Sequence, residues 1–223
     1  IATSGERVDY QGEIYNLPLP GGEGRALRST AEPDFVPIYI AALGPANLRL
    51  TGQLADGWVG GSFIPETAEV FLEQIRTGAA IAGRSLDSFD IHIPLSVEFT
   101  DDFDEAVKRH ARGYGFTFGA MGSAKNNFYK NAFARQGFED EVNLVKRLWA
   151  EGRREEARDQ VPTELARKVN LIGTPAMIRE RLRVHRDAGV TTIRAGLAGE
   201  TNAERLDGLG RLMSLVDEVN SEA

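Results

Sequence analysis

Residues 36–62 constrain the fold more than any other part of the sequence. They read V-P-I-Y-I-A-A-L-G-P-A-N-L-R-L-T-G-Q-L-A-D-G-W-V-G-G-S. The apolar run over residues 38–42 is typical of a buried strand, and it stops at a Gly-Pro pair that suits the start of a helix. A short helical stretch over residues 46–55 follows, and a second apolar pair then leads into Gly-Gly-Ser. This order of strand, glycine loop, helix, strand and glycine loop predicts a parallel βαβ unit.

The two glycine loops of this unit are candidate ligand-binding segments. Gly44 follows the first predicted strand, and Gly60, Gly61 and Ser62 follow the second. The carboxyl ends of neighbouring parallel strands meet at one edge of a sheet, which is where α/β folds bind ligands. Backbone N–H groups beside a helix N-terminus suit a phosphate or another anion. A glycine at a strand end is also a common turn residue, so the occurrence of two such loops is what favours a binding site.

Composition and charge exclude several classes of function. The chain has 223 residues, of which 42% are hydrophobic and 26% charged, as in soluble globular proteins. A net charge of -7 argues against nucleic acid or an anionic membrane as the main partner. The absence of cysteine excludes disulfides and thiolate chemistry, and the three histidines have no metal-ligand spacing, so we predict no metal site. No apolar run is long enough for a membrane span and no signal-peptide pattern opens the chain, so we expect a cytoplasmic protein.

The rest of the chain continues the alternation of strands and helices. We predict one partial domain in four segments: an irregular linker segment (1–35, with a short hairpin near its start), βα units (36–112), a helical insertion (113–170) and a final βα unit (171–223). The segment 113–122 is rich in glycine and aromatic residues and shows no clear period. We find no sequence repeat beyond the βα alternation.

Residues 90–99 (D-I-H-I-P-L-S-V-E-F) alternate between apolar and other side chains, which predicts a strand. Pro94 lacks an N–H group for the sheet ladder, so we expect a bulge or another local irregularity there. Thr100-Asp101-Asp102 is expected to cap a helix that ends near residue 112. Glu98 lies at the carboxyl end of the strand and is a candidate site residue.

The motifs P-I-Y-I-A-A-L-G-P and A-D-G-W resemble the central segment of the bacterial luciferase-like monooxygenase superfamily. The similarity is greatest to the branch of oxidoreductases that use the deazaflavin coenzyme F420. It continues in order towards the C-terminus, through Met121-Gly122, Asn127-Phe128-Tyr129, Gly152-Arg153-Arg154, Leu171-Ile172-Gly173-Thr174-Pro175 and Ala188-Gly189-Val190. The resemblance implies an α/β fold of the TIM (β/α)8 barrel type, in which the Ala-Ala-x-Gly turn follows the fifth strand and lies against the flavin or deazaflavin.

The resemblance also implies which residues form one wall of the cofactor site. They follow the fifth and sixth barrel strands, and they are Ala41, Ala42, Leu43, Gly44, Gly60, Gly61 and Ser62. Leu43 stands where many deazaflavin-dependent members have glycine, so the choice between coenzyme F420 and FMN stays open. In the resembled family, the catalytic acid and base residues come from the first four strands, so we assign no catalytic residue.

The number of predicted strands implies that the barrel is incomplete. Four core βα units are visible, whereas a complete barrel has eight strands and typically about 250 residues. The chain also begins with Ile rather than Met. We therefore expect the C-terminal half of a longer protein, strands 5 to 8, with a helical insertion before the last strand. Open sheet edges favour aggregation, so a missing half or a second copy in a homo-oligomer should cover them, and Ile38, Ile40 and Val59 should lack partners.

These observations predict a flavin- or deazaflavin-dependent oxidoreductase that acts on a small organic substrate by hydride transfer or oxygenation. The cofactor supplies the redox chemistry, which agrees with the lack of any visible nucleophile–base pair. We expect the isolated chain to be inactive. One alternative is a non-catalytic luciferase-like paralogue that acts as a ligand-binding or structural protein. Another is an unrelated phosphate-binding TIM-barrel enzyme, which the absence of a strand-end lysine or carboxylate pair disfavours.

Three further side chains carry specific expectations. His110 and His185 lie among charged residues of predicted helices, so we expect both to be solvated. Arg194 lies inside the last strand, where a guanidinium needs a carboxylate partner or a bound anion. We expect an ion pair there.

Overall fold

The structure of the protein is a computed structural model that describes residues 9–22, 36–122 and 126–222. The chain divides into two compact units, residues 1–37 and 38–223. In the first unit, Tyr10–Gln11 (β1) pairs antiparallel with Asn16–Leu17 (β2). A short hairpin therefore forms, although its second strand lies just beyond the predicted range 8–15. All the other described elements belong to the second unit.

Five strands of the second unit form one parallel sheet: Tyr39–Ala41 (β3), Gly57–Val59 (β4), Asp90–Phe99 (β5), Leu171–Gly173 (β6) and Thr192–Leu197 (β7). The long strand β5 is its centre, because it pairs with β4, β6 and β7. Val97 pairs with both Leu171 and Leu197, so β6 and β7 lie on opposite sides of β5. Apart from the short β6, the strands therefore lie side by side in the sheet in the same order as in the sequence: β3, β4, β5 and β7. Four consecutive βα units predict this order.

Nine α-helices accompany these strands in the described residues: Pro45–Leu54 (α1), Glu69–Ile81 (α2), Phe103–Gly119 (α3), Phe128–Phe133 (α4), Glu139–Ala150 (α5), Arg154–Asp159 (α6), Thr163–Val169 (α7), Pro175–Asp187 (α8) and Asn202–Asn220 (α9). A 3-10 turn at Pro65–Thr67 precedes α2, and a π-helical turn at Ala134–Phe138 joins α4 to α5. The Thr174 side chain caps α8 by accepting from the Met177 N–H. None of these helices is both long and apolar enough to cross a bilayer.

One face of the sheet packs against α1, α2, α8 and α9. Ile93, Leu95 and Val97 alternate along β5 on this face and are buried. Trp58 of β4 is fully buried there, with ring centroids 5.9 Å from Phe63 and 5.3 Å from Phe71. A second apolar core forms within the helical segment α3 to α7. The alternation predicted for residues 90–99 is thus confirmed.

The opposite face of the sheet carries side chains that the other elements of residues 38–222 leave open. The register places Ala41, Val59 and His92 side by side on this face, and Arg194 lies next to Pro94. Ala41 and Arg194 are exposed. At the sheet edge, Ile38 is 59% exposed, as expected from its predicted lack of partners, whereas Ile40 packs against the core.

Pro94 causes no bulge, and the local irregularity at this position is a gap between two partner strands. The register with β7 runs without interruption from His92 to Val97. On the other side of β5, β4 pairs only as far as His92 and β6 begins to pair at Val97. Pro94 lies opposite this gap between two strands, where no ladder partner needs its missing N–H.

Helix α3 does not end near residue 112 but continues to Gly119, across the predicted start of the insertion. Its late glycines are positions of close packing rather than of irregular backbone. A Cβ atom on Gly119 would lie 2.3 Å from the Trp149 side chain, and one on Gly115 would lie 2.8 Å from Arg158. At the other end of the helix, the Asp102 side chain makes no capping bond; instead, the Thr100 hydroxyl accepts from the Asp102 N–H at 3.0 Å.

The close contact between α1 and α2 gives a test of the packing. A Cβ atom on Gly78 would lie 1.9 Å from the Arg49 carbonyl oxygen, and one on Gly52 equally close to that of Ile75. Gly78→Ala should therefore lower the free energy of unfolding in urea by about 1–3 kcal/mol, since backbone must move. Gly210→Ala in α9, where the added carbon meets nothing within 4 Å, is the control and should not destabilise. Equal stability of the two variants would contradict the described packing.

His185 predicts a loss of stability in acid. It is fully buried rather than solvated, its Nδ1 lies 2.9 Å from the Arg181 carbonyl oxygen, and its Nε2 has no partner in the described part of the chain. Burial lowers the pKa of His185 from 6.5 to about 4. The unfolded chain therefore takes up the proton first, and stability present above pH 6.5 is lost as the pH falls towards 4. Between pH 7 and 5, His185→Gln should lose less unfolding free energy than the unchanged protein, by up to about 2 kcal/mol. Parallel pH profiles would contradict this assignment.

Candidate functional site

The two glycine loops lie side by side at one edge of the sheet. Ala41 at the end of β3 pairs in register with Val59 at the end of β4, so residues 42–44 and 60–62 leave the sheet next to each other. Ala42 is buried, and its carbonyl oxygen accepts a 2.8 Å hydrogen bond from the Trp58 indole N–H. This side-chain bond ties the start of the first loop to the strand that carries the second.

Two of the loop glycines have open space where a side chain would stand. A Cβ atom on Gly44 or Gly61 would meet nothing within 4 Å, and Gly44 has an ordinary extended backbone with φ −84°. Gly60 differs, because a Cβ atom there would lie 2.5 Å from the Trp58 ring. Packing therefore explains glycine at position 60. No contact in the described residues explains it at positions 44 and 61, which form an open cradle.

The backbone N–H groups of the second loop are not equivalent. The Gly60 N–H donates to the His92 carbonyl at 2.9 Å, so it is not free for a ligand. The N–H groups of Gly61 and Ser62 have no hydrogen-bond partner within the described ranges. The donors that this loop offers to a ligand are therefore the amides at positions 61 and 62 and the Ser62 hydroxyl.

Ser62 has a backbone conformation that side chains rarely adopt. Its φ is 58°, and no other non-glycine residue in the described segments has a positive φ. The left-handed region costs an ordinary residue about 1–2 kcal/mol, so surrounding contacts must hold it. The Ser62 carbonyl oxygen accepts a 2.6 Å hydrogen bond from the Gln136 amide.

Gln136 holds the second loop through hydrogen bonds of both its amide oxygen and its amide nitrogen. Its Oε1 accepts from the Ile64 N–H at 2.9 Å and the Thr67 hydroxyl at 3.1 Å. Its Nε2 donates to the carbonyls of Ser62 and Ala132. The side chain is only 5% exposed, so every one of these bonds replaces water. A residue of the helical insertion thus fixes the loop that follows β4.

The neighbouring residue holds the first loop in the same way. The Arg135 guanidinium donates to the Leu43 carbonyl and has no carboxylate partner among the described residues. Partial burial lowers the pKa of Arg135. Both residues lie in the π-helical turn, where Gly137 has φ 96°. Sequence reasoning missed this pair because the residues they contact are 74 and 92 positions away in the chain.

Glu98 at the end of β5 forms a cluster with two residues of α3. Its carboxylate binds the Arg109 guanidinium and lies 2.8 Å from Nε2 of His110. Burial alone would raise the pKa of Glu98, but the hydrogen bonds from Arg109 and His110 hold it below its ordinary value. His110 is therefore paired rather than merely solvated, which corrects that expectation.

Arg194 and the aromatic residues of the insertion have varied surroundings. Arg194 has no ion-pair partner in the described part of the chain, so the expected ion pair is wrong there. Phe118 is fully buried in the second core, whereas Phe116 is 53% exposed and contacts the Trp149 ring edge-on. Phe128 is 61% exposed. Within the described ranges, no cluster of His, Cys, Asp and Glu has the geometry of a metal site.

Comparison with known proteins identifies the family. The model of the luciferase-like monooxygenase family matches residues 2–192. The chain belongs to this family. It is 32% identical over 192 residues to a Mycobacterium tuberculosis protein assigned as a coenzyme F420-dependent oxidoreductase, covering 82% of this chain and 55% of that protein. It is 31% identical over 198 residues to the 5,10-methylenetetrahydromethanopterin reductase of Archaeoglobus fulgidus, covering 87% and 56% respectively.

Solved structures of luciferase-like proteins share the fold. The coenzyme F420-dependent tetrahydromethanopterin reductase of Methanopyrus kandleri superposes with a TM-score of 0.70 at 21% identity, over 92% of this chain and 57% of that one. An F420-dependent secondary alcohol dehydrogenase gives a TM-score of 0.68 at 18% identity, over 96% and 57%. The α/β architecture with a parallel sheet is thus confirmed. The chain spans about half the length of the curated relatives described above.

Gln136 provides a test of how the second loop is held. Gln136→Leu removes all four amide hydrogen bonds and leaves buried groups of Ser62 and Ile64 unpaired, each at a cost of about 1–3 kcal/mol. Amide hydrogen exchange over residues 61–64 should therefore become faster in this luciferase-like protein. Gln160→Leu, on an exposed glutamine of the same insertion, should leave that exchange unchanged. Unaltered exchange in Gln136→Leu would show that the loop holds its own conformation.

Proposed function

We propose that this chain forms the part of a flavin- or deazaflavin-dependent oxidoreductase that holds one wall of the cofactor site. The two open glycine positions at adjacent strand ends carry this proposal. A glycine that no neighbour requires, beside a second one on the next strand, leaves a surface on which a flat ring can lie against backbone. The bound cofactor would supply the hydride-transfer or oxygenation chemistry for a small organic substrate.

The residues of this chain suit such a cofactor. The ring would rest against Ala41, Leu43 and Gly44, and the free amides of Gly61 and Ser62 would hold an anionic group of the cofactor. The Ser62 hydroxyl, which makes no bond to the described residues, is a further donor. Arg135 and Gln136 would keep both loops in place, so that the site needs little rearrangement on binding.

We assign coenzyme F420 ahead of FMN as the cofactor. The curated relatives described above include one assigned as a coenzyme F420-dependent oxidoreductase, and one of the similar solved structures is an F420-dependent alcohol dehydrogenase. Leu43 in place of the glycine of many deazaflavin-dependent members makes the turn bulkier, which keeps FMN as the second candidate.

The uncovered face of the sheet supports the proposal that this chain is half of a TIM (β/α)8 barrel. Parallel sheets are covered on both faces, yet Ala41, Val59 and Arg194 point away from the packed helices. Four more strands would close the barrel over these side chains, with the strands described here as the fifth to eighth. A second copy of the chain is the other source of cover, in a homo-oligomer. Without either, one wall of the site is missing and the chain is inactive.

Substitution of the open glycines tests the cofactor assignment. Gly44→Val and Gly61→Val should each weaken binding of coenzyme F420 or FMN at least tenfold in fluorescence titrations, because the added methyl groups occupy the ring surface. Neither variant should unfold, since the space is empty in the protein itself. Gly210→Val, at an open position on α9, is the control for a generic effect of valine. Unchanged cofactor affinity in both loop variants would remove these loops from the site.

A further inference from the structure

The open face of the parallel sheet carries a cation without a counter-charge. Arg194 lies in the middle of β7, and its neighbours Ile193 and Ala195 pack against the core, so Arg194 points the other way. Its side chain is exposed, and it makes no ion pair or hydrogen bond with the residues that the structure describes. This arginine therefore stands on a sheet face with its donors unused.

The acidic side chains of the neighbouring strand are already engaged. Glu98 at the end of β5 binds two residues of α3, Arg109 and His110. Asp90 at the start of β5 accepts a 2.8 Å hydrogen bond from the Thr192 hydroxyl. Neither carboxylate forms an ion pair with Arg194 in the described part of the chain. A counter-charge for Arg194 must therefore come from outside these residues.

Covering this face makes that counter-charge necessary. Parallel sheets are covered on both faces, and the helices of this chain cover only one face around Arg194. A layer placed over Arg194 removes water from the guanidinium, and a buried charge without a partner is strongly unfavourable. The covering layer must therefore bring a carboxylate to this position.

Apolar side chains mark the two helices that follow the edge strands β3 and β7. On α1, Leu50 is 42% and Leu54 is 64% exposed. Gly52 of this helix contacts α2, and with about 3.6 residues per turn both leucines lie on the opposite flank. On α9, Leu206 is 68% and Met213 is 50% exposed, at positions i and i+7 of one stripe. Each end of the sheet thus offers an apolar helix flank to a neighbour.

A second copy of the chain fits this face poorly. Two copies that close a ring of eight parallel strands are related by a two-fold axis along the barrel. Both Arg194 side chains would then lie at the same height and point towards that axis. Two guanidinium groups would meet in the interior, and neither copy has a free carboxylate there in its described part. Charge therefore favours a cover with a different sequence.

We propose that the open face binds a different βα segment, one whose inward face presents an Asp or Glu to Arg194. Its outer helices would pack against the apolar flanks of α1 and α9. This inference rests on the half-barrel arrangement proposed above, and it excludes the second copy as the cover. The Mycobacterium tuberculosis relative provides a probe, because this chain covers only 55% of that protein.

Co-expression with the rest of that relative, meaning the part without a counterpart in this chain, tests the proposal. The unchanged chain, captured by an affinity tag, should retain the probe in a complex of one copy each. Arg194→Glu should weaken the complex about tenfold or more, because a buried pair becomes two like charges, whereas Arg194→Lys should retain it. Arg76→Glu makes the same change of charge on α2, which packs on the covered face, and should bind as the unchanged chain does.

Substitutions on the two helix flanks test the extent of the surface. Leu54→Gln on α1 and Leu206→Gln on α9 should each weaken the complex, because both leucines are exposed in the chain alone. Ile81→Gln, at a residue of α2 that is 68% exposed, is the control and should leave binding unchanged. Absence of a complex with the unchanged chain, or equal binding by Arg194→Glu, would overturn the proposal. A dimer of the unchanged chain that excludes the probe in light scattering would also overturn it.

Fluorescence titration with coenzyme F420 separates this inference from the proposed function. A complex that depends on Arg194 but binds neither F420 nor FMN would support the acidic cover and overturn the cofactor assignment. Cofactor binding that depends on Gly44 and Gly61, in a protein whose complex is insensitive to Arg194→Glu, would support the cofactor site and overturn the acidic cover.

Discussion

The parallel ladder centred on β5 is the constraint on which the rest of the structure depends. Strands β4 and β7 flank β5, and α1, α2, α8 and α9 pack on one face of the sheet that these strands form. Because β3 and β4 run parallel, the loops that follow them leave the sheet at the same edge. On the opposite face, Ala41 and Arg194 stay exposed, while α3 reaches only Glu98 at the end of β5. The candidate site and the open face are therefore consequences of one pairing pattern.

The helical insertion has a role beyond filling space. The insertion has an apolar core of its own. Its π-helical turn places Arg135 against the first loop and Gln136 against the second. Loop backbone carbonyls that would otherwise need water are thereby satisfied by side chains. The strained Ser62 conformation is held by the same contacts. If the loops bind the cofactor as proposed, this frame presents them already formed.

Local patterns in the sequence were sufficient for the βα units around residues 36–62 and 90–99, because glycine punctuation and the two-residue period are local signals. They were also sufficient for the position of the two loops. They were insufficient where glycine serves packing: α3 continues through Gly115 and Gly119 because Arg158 and Trp149 lie against them, and those contacts are distant in sequence.

Local patterns likewise predicted only part of the candidate site. The spacing of strands and glycines located the loops, but the hydrogen-bond partners of those loops come from a segment about 70–90 residues away, which no local pattern reveals. The short strand β6 was missed for the same reason, since its three residues are recognisable as a strand only through their pairing with the end of β5. His185 was misjudged because charged neighbours on a helix do not disclose which face the ring occupies.

The central claim is that the edge formed by the two glycine loops binds the cofactor. Amide hydrogen exchange of the purified protein, measured with and without coenzyme F420, tests it most directly. The account predicts slower exchange at the free amides of residues 61 and 62 and at the start of α1, with α9 unchanged. Protection confined to other segments, with both loops exchanging as in the free protein, would contradict it.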